Sequence, residues 1–174
     1  MVQAVDRVLV IGPCGAGKST LAAQLGPRLG LPVVHMDQLN WRSGWAESTK
    51  AEISERLGAV MAQERWLIDG TYGGTLAPRL ARADLVVWLD YPIHLCLWRL
   101  LRRYATWRGR SRPDMTEGCP EQLDPAFLWY VLCWNYGPGK RLAMRLTSYS
   151  GAIMRLRHPR ETRAWLSGFR RREN

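Results

Sequence analysis

Gly12-Pro13-Cys14-Gly15-Ala16-Gly17-Lys18-Ser19 decides the reading of this chain. The stretch fits G-x-x-x-x-G-K-[ST]. It follows Arg7-Val8-Leu9-Val10-Ile11, a β-branched apolar run that reads as a buried strand, and precedes Leu21, Leu25 and Leu29, which share one helical face up to Gly30. Glycines at this spacing let the backbone turn its N–H groups inward, forming a nest for phosphate oxygens at a helix N-terminus whose dipole already favours anions. In such a nest Lys18 reaches the β- and γ-phosphates and the Ser19 hydroxyl ligates Mg²⁺. A shuffled chain of this composition would show the match only about twice per thousand sequences. Gly12, Pro13, Cys14, Gly15, Ala16, Gly17, Lys18, Ser19 and Thr20 are therefore the candidate nucleotide-binding residues, with Cys14 as a spacer.

Outward from this stretch, further apolar runs alternate with helical periodicity. Val33 to Met36, Trp66 to Gly70, Leu85 to Leu89 and Gly151 to Leu156 read as four more strands. Helices are predicted at about Glu47 to Glu64, around Arg79 and Leu80, at Pro92 to Arg103, at Phe127 to Trp134 and at Arg160 to Phe169. Continuous apolar strands alternating with helices imply an α/β fold, a parallel sheet covered on both faces. Between about 105 and 125 the periodicity fails at Gly109, Pro113, Gly118, Pro120 and Pro125, which marks a working loop. No repeat or linker divides the chain.

The 174 residues, 47% hydrophobic and 23% charged, suit one globular domain. No apolar run approaches the roughly 18 residues of a membrane span. With Asp6 and no basic segment ahead of its apolar run, the N-terminus reads as mature cytoplasmic sequence. Cys14, Cys96, Cys119 and Cys133 show no paired spacing, and His35, His94 and His158 are scattered, so reduced thiols and no metal cluster are expected. The net charge of +10 is confined: Arg99 to Arg112 carries +6 and Arg155 to Arg172 another +6, leaving −2 for the rest. Confinement of this kind suggests anion sites. The strong preference for arginine over lysine weakens the argument for any single arginine.

GTPases, motor ATPases and small-molecule kinases share such a loop. The chain lacks an Asn-Lys-x-Asp guanine-reading element and is too short for the subdomains of mechanical ATPases, so a kinase fits best. The loop, the strand end Asp69-Gly70, the segment Leu89-Asp90-Tyr91-Pro92 and the pair Arg99 and Arg103 resemble adenylate kinase and its nucleoside-monophosphate kinase relatives. His35-Met36-Asp37, Trp66-Leu67-Ile68-Asp69-Gly70-Thr71-Tyr72 and Arg110-Ser111-Arg112-Pro113-Asp114 resemble more closely the small adenylate kinase-like proteins labelled DNA topology modulation proteins, a label more than a mechanism. The resemblance implies a five-stranded parallel sheet in order 2-3-1-4-5, a lid over about 104–125 and an acceptor-side segment over about 38–65. It further implies that Arg99 lies against adenine, that His158-Pro159-Arg160 lies near the adenine edge, that Arg103 faces the phosphates and that Asp69 holds Mg²⁺ through water. ATP and Mg²⁺ would be the cofactors.

Phosphoryl transfer needs cations on the transferring group and exclusion of water, for which Arg102, Arg103, Arg108, Arg110 and Arg112 are candidates, with Arg103, Arg110 and Arg112 foremost. Asp37, at the end of the second strand, would orient or deprotonate an acceptor hydroxyl, or else cap the following turn. His35 reads as packed. Trp41, Arg42 and Trp45 would hold a planar or phosphorylated acceptor, or pack at the rim. In adenylate kinases an arginine that grips the acceptor phosphate closely follows the Asp-Gly; here Thr71-Tyr72-Gly73-Gly74 stands in its place, so the acceptor need not be AMP. The leading expectation is an ATP-dependent kinase with a small-molecule acceptor, a nucleotide among the candidates. The alternative is a nucleic-acid-associated ATPase affecting DNA topology, although no helix-turn-helix, OB or RRM signature supports it, and a sensor without turnover ranks third.

Overall fold

Five strands, β1 (Arg7–Ile11), β2 (Val33–His35), β3 (Trp66–Asp69), β4 (Leu85–Leu89) and β5 (Ala152–Leu156), form a parallel sheet in the order 2-3-1-4-5. A computed structural model of the chain describes residues 5–169. Fold class and strand order agree with the sequence expectation. The register sets His35 and Val10 level with Asp69, so the carboxyl ends of the three strands on the β2 side open side by side. In open α/β sheets, ligands bind at this edge.

Burial on both faces explains why β1, β3 as far as Ile68, and β4 read as unbroken apolar runs; the edge strand β5 is largely exposed and carries Arg155. Val8 and Val10 of β1 pack with Leu21 and Leu25 of α1 (Lys18–Leu29), with Cys96 and Leu100, and with Leu166. Leu9 and Ile11 point the other way, onto Leu57, Leu76, Leu142 and Leu146. Each of these β1 side chains is fully buried and contributes roughly 1.5–3 kcal/mol.

The remaining helices are α2 (Met36–Asn40), α3 (Lys50–Ala62), α4 (Leu76–Arg82), α5 (Ile93–Trp107), α6 (Pro125–Leu132), α7 (Pro138–Thr147) and α8 (Pro159–Ser167). Several boundaries differ from expectation, for local reasons. Helix α3 starts after Glu47, because Ala46–Glu47 pairs with Trp41–Arg42 in a small hairpin and Thr49 and Glu52 form a capping box. Met36 leaves β2 to open α2, which places Asp37 in a helical first turn. Helix α5 runs past Arg103 to Trp107, and α6 begins at Pro125 behind the Asp124 cap, so the aperiodic segment is 108–124. Helix α7 was not anticipated; it starts at Pro138 and buries Leu142 and Leu146 one turn apart. No helix among the described residues is long and apolar enough to cross a membrane.

Candidate active site

The loop after β1 must pass close under two other carbonyl groups. A Cβ on Gly12 (φ 145°) would collide with the Leu89 carbonyl oxygen and one on Gly15 (φ 83°) with that of Cys96, so only glycine fits at either position. Gly17 precedes α1 without a side-chain cap, which leaves the first-turn N–H groups free to meet an anion. Lys18 Nζ donates to the Pro13 carbonyl at 2.9 Å, folding the ammonium across the loop. Arg99 Nη1 donates to the Ala16 carbonyl at 2.9 Å and lies over the Tyr91 ring. Thr71 ties the exit of β3 to the loop: its hydroxyl donates to Gly12 O at 2.7 Å and accepts from Gly12 N at 3.0 Å.

Two carboxylates stand beyond the loop. Asp69, 3% exposed at the end of β3, accepts from His35 Nδ1 at 2.8 Å, and this hydrogen bond holds the imidazole pKa above its ordinary value against the effect of burial. His35, expected to be packed, is thus a polar partner of Asp69. Asp37 accepts from the Tyr72 hydroxyl at 2.6 Å. Burial, with the Asp37 charge beside it, pushes the phenol pKa far above its ordinary range. Tyr72 itself has φ 29° and ψ 79°, a strained conformation costing roughly 1–3 kcal/mol. Arg79, entirely buried, clamps this turn by donating to the carbonyls of Gly70 (2.6 Å), Thr71 (2.7 Å), Tyr72 (3.0 Å) and Thr75 (3.0 Å). Burial lowers its pKa to about 10, so it stays charged at neutral pH.

The 108–124 segment folds over these groups. Glu121 binds Arg103 and lies 2.9 Å from Arg112 Nε, while Arg112 Nη1 donates to Asp114 at 2.7 Å. The segment meets α2 and the hairpin that follows it through five hydrogen bonds: Gln38 to Pro113 O, Thr116 to Trp41 O, Cys119 to Arg42 O, Trp45 Nε1 to Pro120 O and Gly44 N to Gly118 O. Beneath this roof lies a cavity of about 1080 Å³, shared by the phosphate loop, Asp37, Asp69, Arg99, Arg103 and Arg112. Trp41 and Trp45, edge to face with centroids 5.3 Å apart, also line it. Arg110 is exposed and lies outside the lining, as does Arg160, whose backbone N–H meets His158 Nδ1 at 3.2 Å. Arg102 and Arg108 stack on Trp98 and Tyr104 at the surface. Among the lining residues missed from the sequence are three charged ones. Arg141 and Arg145 come with α7, whose signal was the Pro138 start and the Leu142/Leu146 spacing; Glu121 had no local signal.

The hard oxygen donors at the loop, the Ser19 hydroxyl and the buried Asp69 carboxylate, both line the cavity and are of the type Mg²⁺ accepts.

No family model matches the chain. The shikimate kinase of Xanthomonas axonopodis pv. citri is 29% identical to it over 133 residues, 67% of this chain and 70% of that one. Among solved structures, shikimate kinase from Acinetobacter baumannii in complex with shikimate aligns over 94% of this chain and 90% of its own, with TM-score 0.55 and 16% identity. Deoxyadenosine kinase from M. mycoides with bound dATP aligns over 87% and 90%, with TM-score 0.52 and 15% identity. None of these relatives bears the topology modulation label. The chain has the fold of the small-molecule P-loop kinases.

Proposed function

We propose that the chain is an ATP- and Mg²⁺-dependent phosphotransferase that moves the γ-phosphoryl group of ATP to a small-molecule acceptor. One observation carries this reading: the phosphate loop, a carboxylate free to meet an acceptor and two lid-side arginines face a single cavity of about 1080 Å³, larger than one nucleotide requires. The kinase relatives support it. Lys18 and the loop N–H groups bind the triphosphate, with Thr20 at its edge and Arg99 beside the nucleotide. Ser19 and, through water, Asp69 hold Mg²⁺, which neutralises phosphate charge when bound. Asp37 orients the acceptor. Residues 108–124 act as the lid, and Arg103 and Arg112 stabilise charge on the group in flight. Arg110 and Arg160 join the site only if the lid and the α8 start shift inward when the nucleotide binds. The nucleic-acid reading draws less support, because Arg103 and Arg112 point into the cavity and Arg155 pairs with Asp90; Arg170, Arg171 and Arg172 of the second cluster lie outside the described residues.

The test is a panel of nucleotides and metabolites incubated with ATP and Mg²⁺, reading ADP release and the phosphorylated product. Acceptor-dependent ADP formation supports the proposal. ADP release that no acceptor stimulates, but that DNA does, overturns it.

A further inference from the structure

Tyr72 holds a backbone conformation that an aromatic residue adopts only when its surroundings impose it. Arg79 imposes it. Its buried guanidinium has carbonyl oxygens for partners and no carboxylate among the described residues, and three of those carbonyls belong to consecutive residues, Gly70, Thr71 and Tyr72. A buried cation is costly unless hydrogen-bonded, and here the bonds that satisfy it also freeze the turn. The same turn carries two further attachments. Thr71 exchanges two hydrogen bonds with Gly12 of the phosphate loop, and the Tyr72 phenol meets Asp37 Oδ1 at 2.6 Å. Asp37 Oδ2 has no protein partner among the described residues.

We propose that Tyr72 is a positioning residue for Asp37: held by the clamped turn, its hydroxyl occupies Oδ1, fixes the plane of the carboxylate and leaves Oδ2 to meet the acceptor. This rests on the assignment of Asp37 to the acceptor. Burial and the neighbouring Asp37 charge hold the phenol pKa well above its ordinary value, so at neutral pH the hydroxyl is the donor of the pair. Because the turn is also bonded to Gly12, the carboxylate is indexed to the phosphate loop, so the acceptor oxygen is placed relative to the phosphate it attacks. Misplacement of a reacting group by about 1 Å lowers rate about a hundredfold, which sets the scale of the effect.

A merely structural role would join α2 to the turn and do nothing more. The two roles separate in a cycle of Tyr72→Phe, Asp37→Asn and the double variant, measured by turnover with the best acceptor of the panel and by urea unfolding. Positioning predicts that Tyr72→Phe lowers kcat about 10- to 100-fold with the KM for ATP within about twofold. It also predicts that the double variant is no slower than Asp37→Asn alone. Wild-type kcat in a folded Tyr72→Phe protein overturns the proposal, and so does a loss that multiplies in full onto that of Asp37→Asn. A second measurement needs no acceptor: the carboxyl-carbon chemical shift of Asp37 at neutral pH moves in Tyr72→Phe if the bond exists in solution, and an unmoved resonance overturns it. If wild-type protein phosphorylates nothing in the panel, the kinase reading fails, and this resonance alone decides whether the pair is coupled.

Discussion

Glu121 Oε1 lies 2.7 Å from Arg103 Nε and 2.6 Å from Arg103 Nη2, so one carboxylate oxygen takes two donors of a guanidinium 18 positions away in the chain. The acid is 7% exposed and also touches Arg112, so it balances two positive charges aimed into the cavity. Glu121→Ala should destabilise the fold by about 1–3 kcal/mol in urea unfolding, as loss of a buried acceptor does. Arg103→Ala and Arg112→Ala should each lower turnover about 10²- to 10³-fold. The exposed Arg110→Ala should stay within about threefold of wild type in the same ADP assay. Equal losses at all three positions would mean that the segment rearranges before reaction.

Lys18→Ala removes the ammonium that lies across the phosphate loop yet touches only one carbonyl. Calorimetry with ATP and Mg²⁺ should show binding lost, while the thermal midpoint moves by no more than about 3 °C. Undiminished affinity in this folded variant would show that the loop does not take phosphate.

Asp37→Asn and Asp69→Asn should lower kcat more than they weaken ATP binding, since neither group is assigned to hold the nucleotide. Initial rates at varied ATP separate the two quantities. A defect confined to the KM for ATP would remove both roles.

The His35–Asp69 bond makes stability depend on pH in a definite direction. Its folded-state pKa lies above the unfolded value of about 6.5, so the pair's contribution is complete below that value and is lost as pH rises through the folded-state value. Urea unfolding across this window should show stability falling with pH. In His35→Leu the slope should flatten; an unchanged slope would place its origin in another group.

Much of this was readable in advance because buried parallel strands have to be continuously apolar. Val8 to Ile11, Trp66 to Ile68 and Val86 to Leu89 are each buried from end to end, and that burial is what the sequence displays. The phosphate loop was equally legible, since glycine is obligatory wherever carbonyl groups press on the backbone. Helix α7 was hidden by Gly137-Pro138-Gly139, which reads as a break but supplies the helix start. Arg110 and Arg112 are chemically alike and two positions apart, yet one faces solvent and the other the cavity, because an aperiodic loop has no repeat from which to infer direction. Arg79 looked like one more arginine on a short helix; that it is buried depends on carbonyls of a preceding turn that no local pattern encodes.

The seam that joins the 108–124 segment to α2 and the hairpin that follows it links partners up to 77 positions apart, and its acceptors are all main-chain carbonyls. The sheet pairs Val8 with Leu85 over the same span, so sequence separation does not set the seam apart from the sheet; burial does, because the β1 side chains are fully enclosed while Gln38, Arg42 and Gly44 are exposed. Among the described residues it also contains no ion pair, so parting it leaves no charge stranded away from water. The expectation is that under local unfolding these stitches give way before β1 and the phosphate loop beneath them.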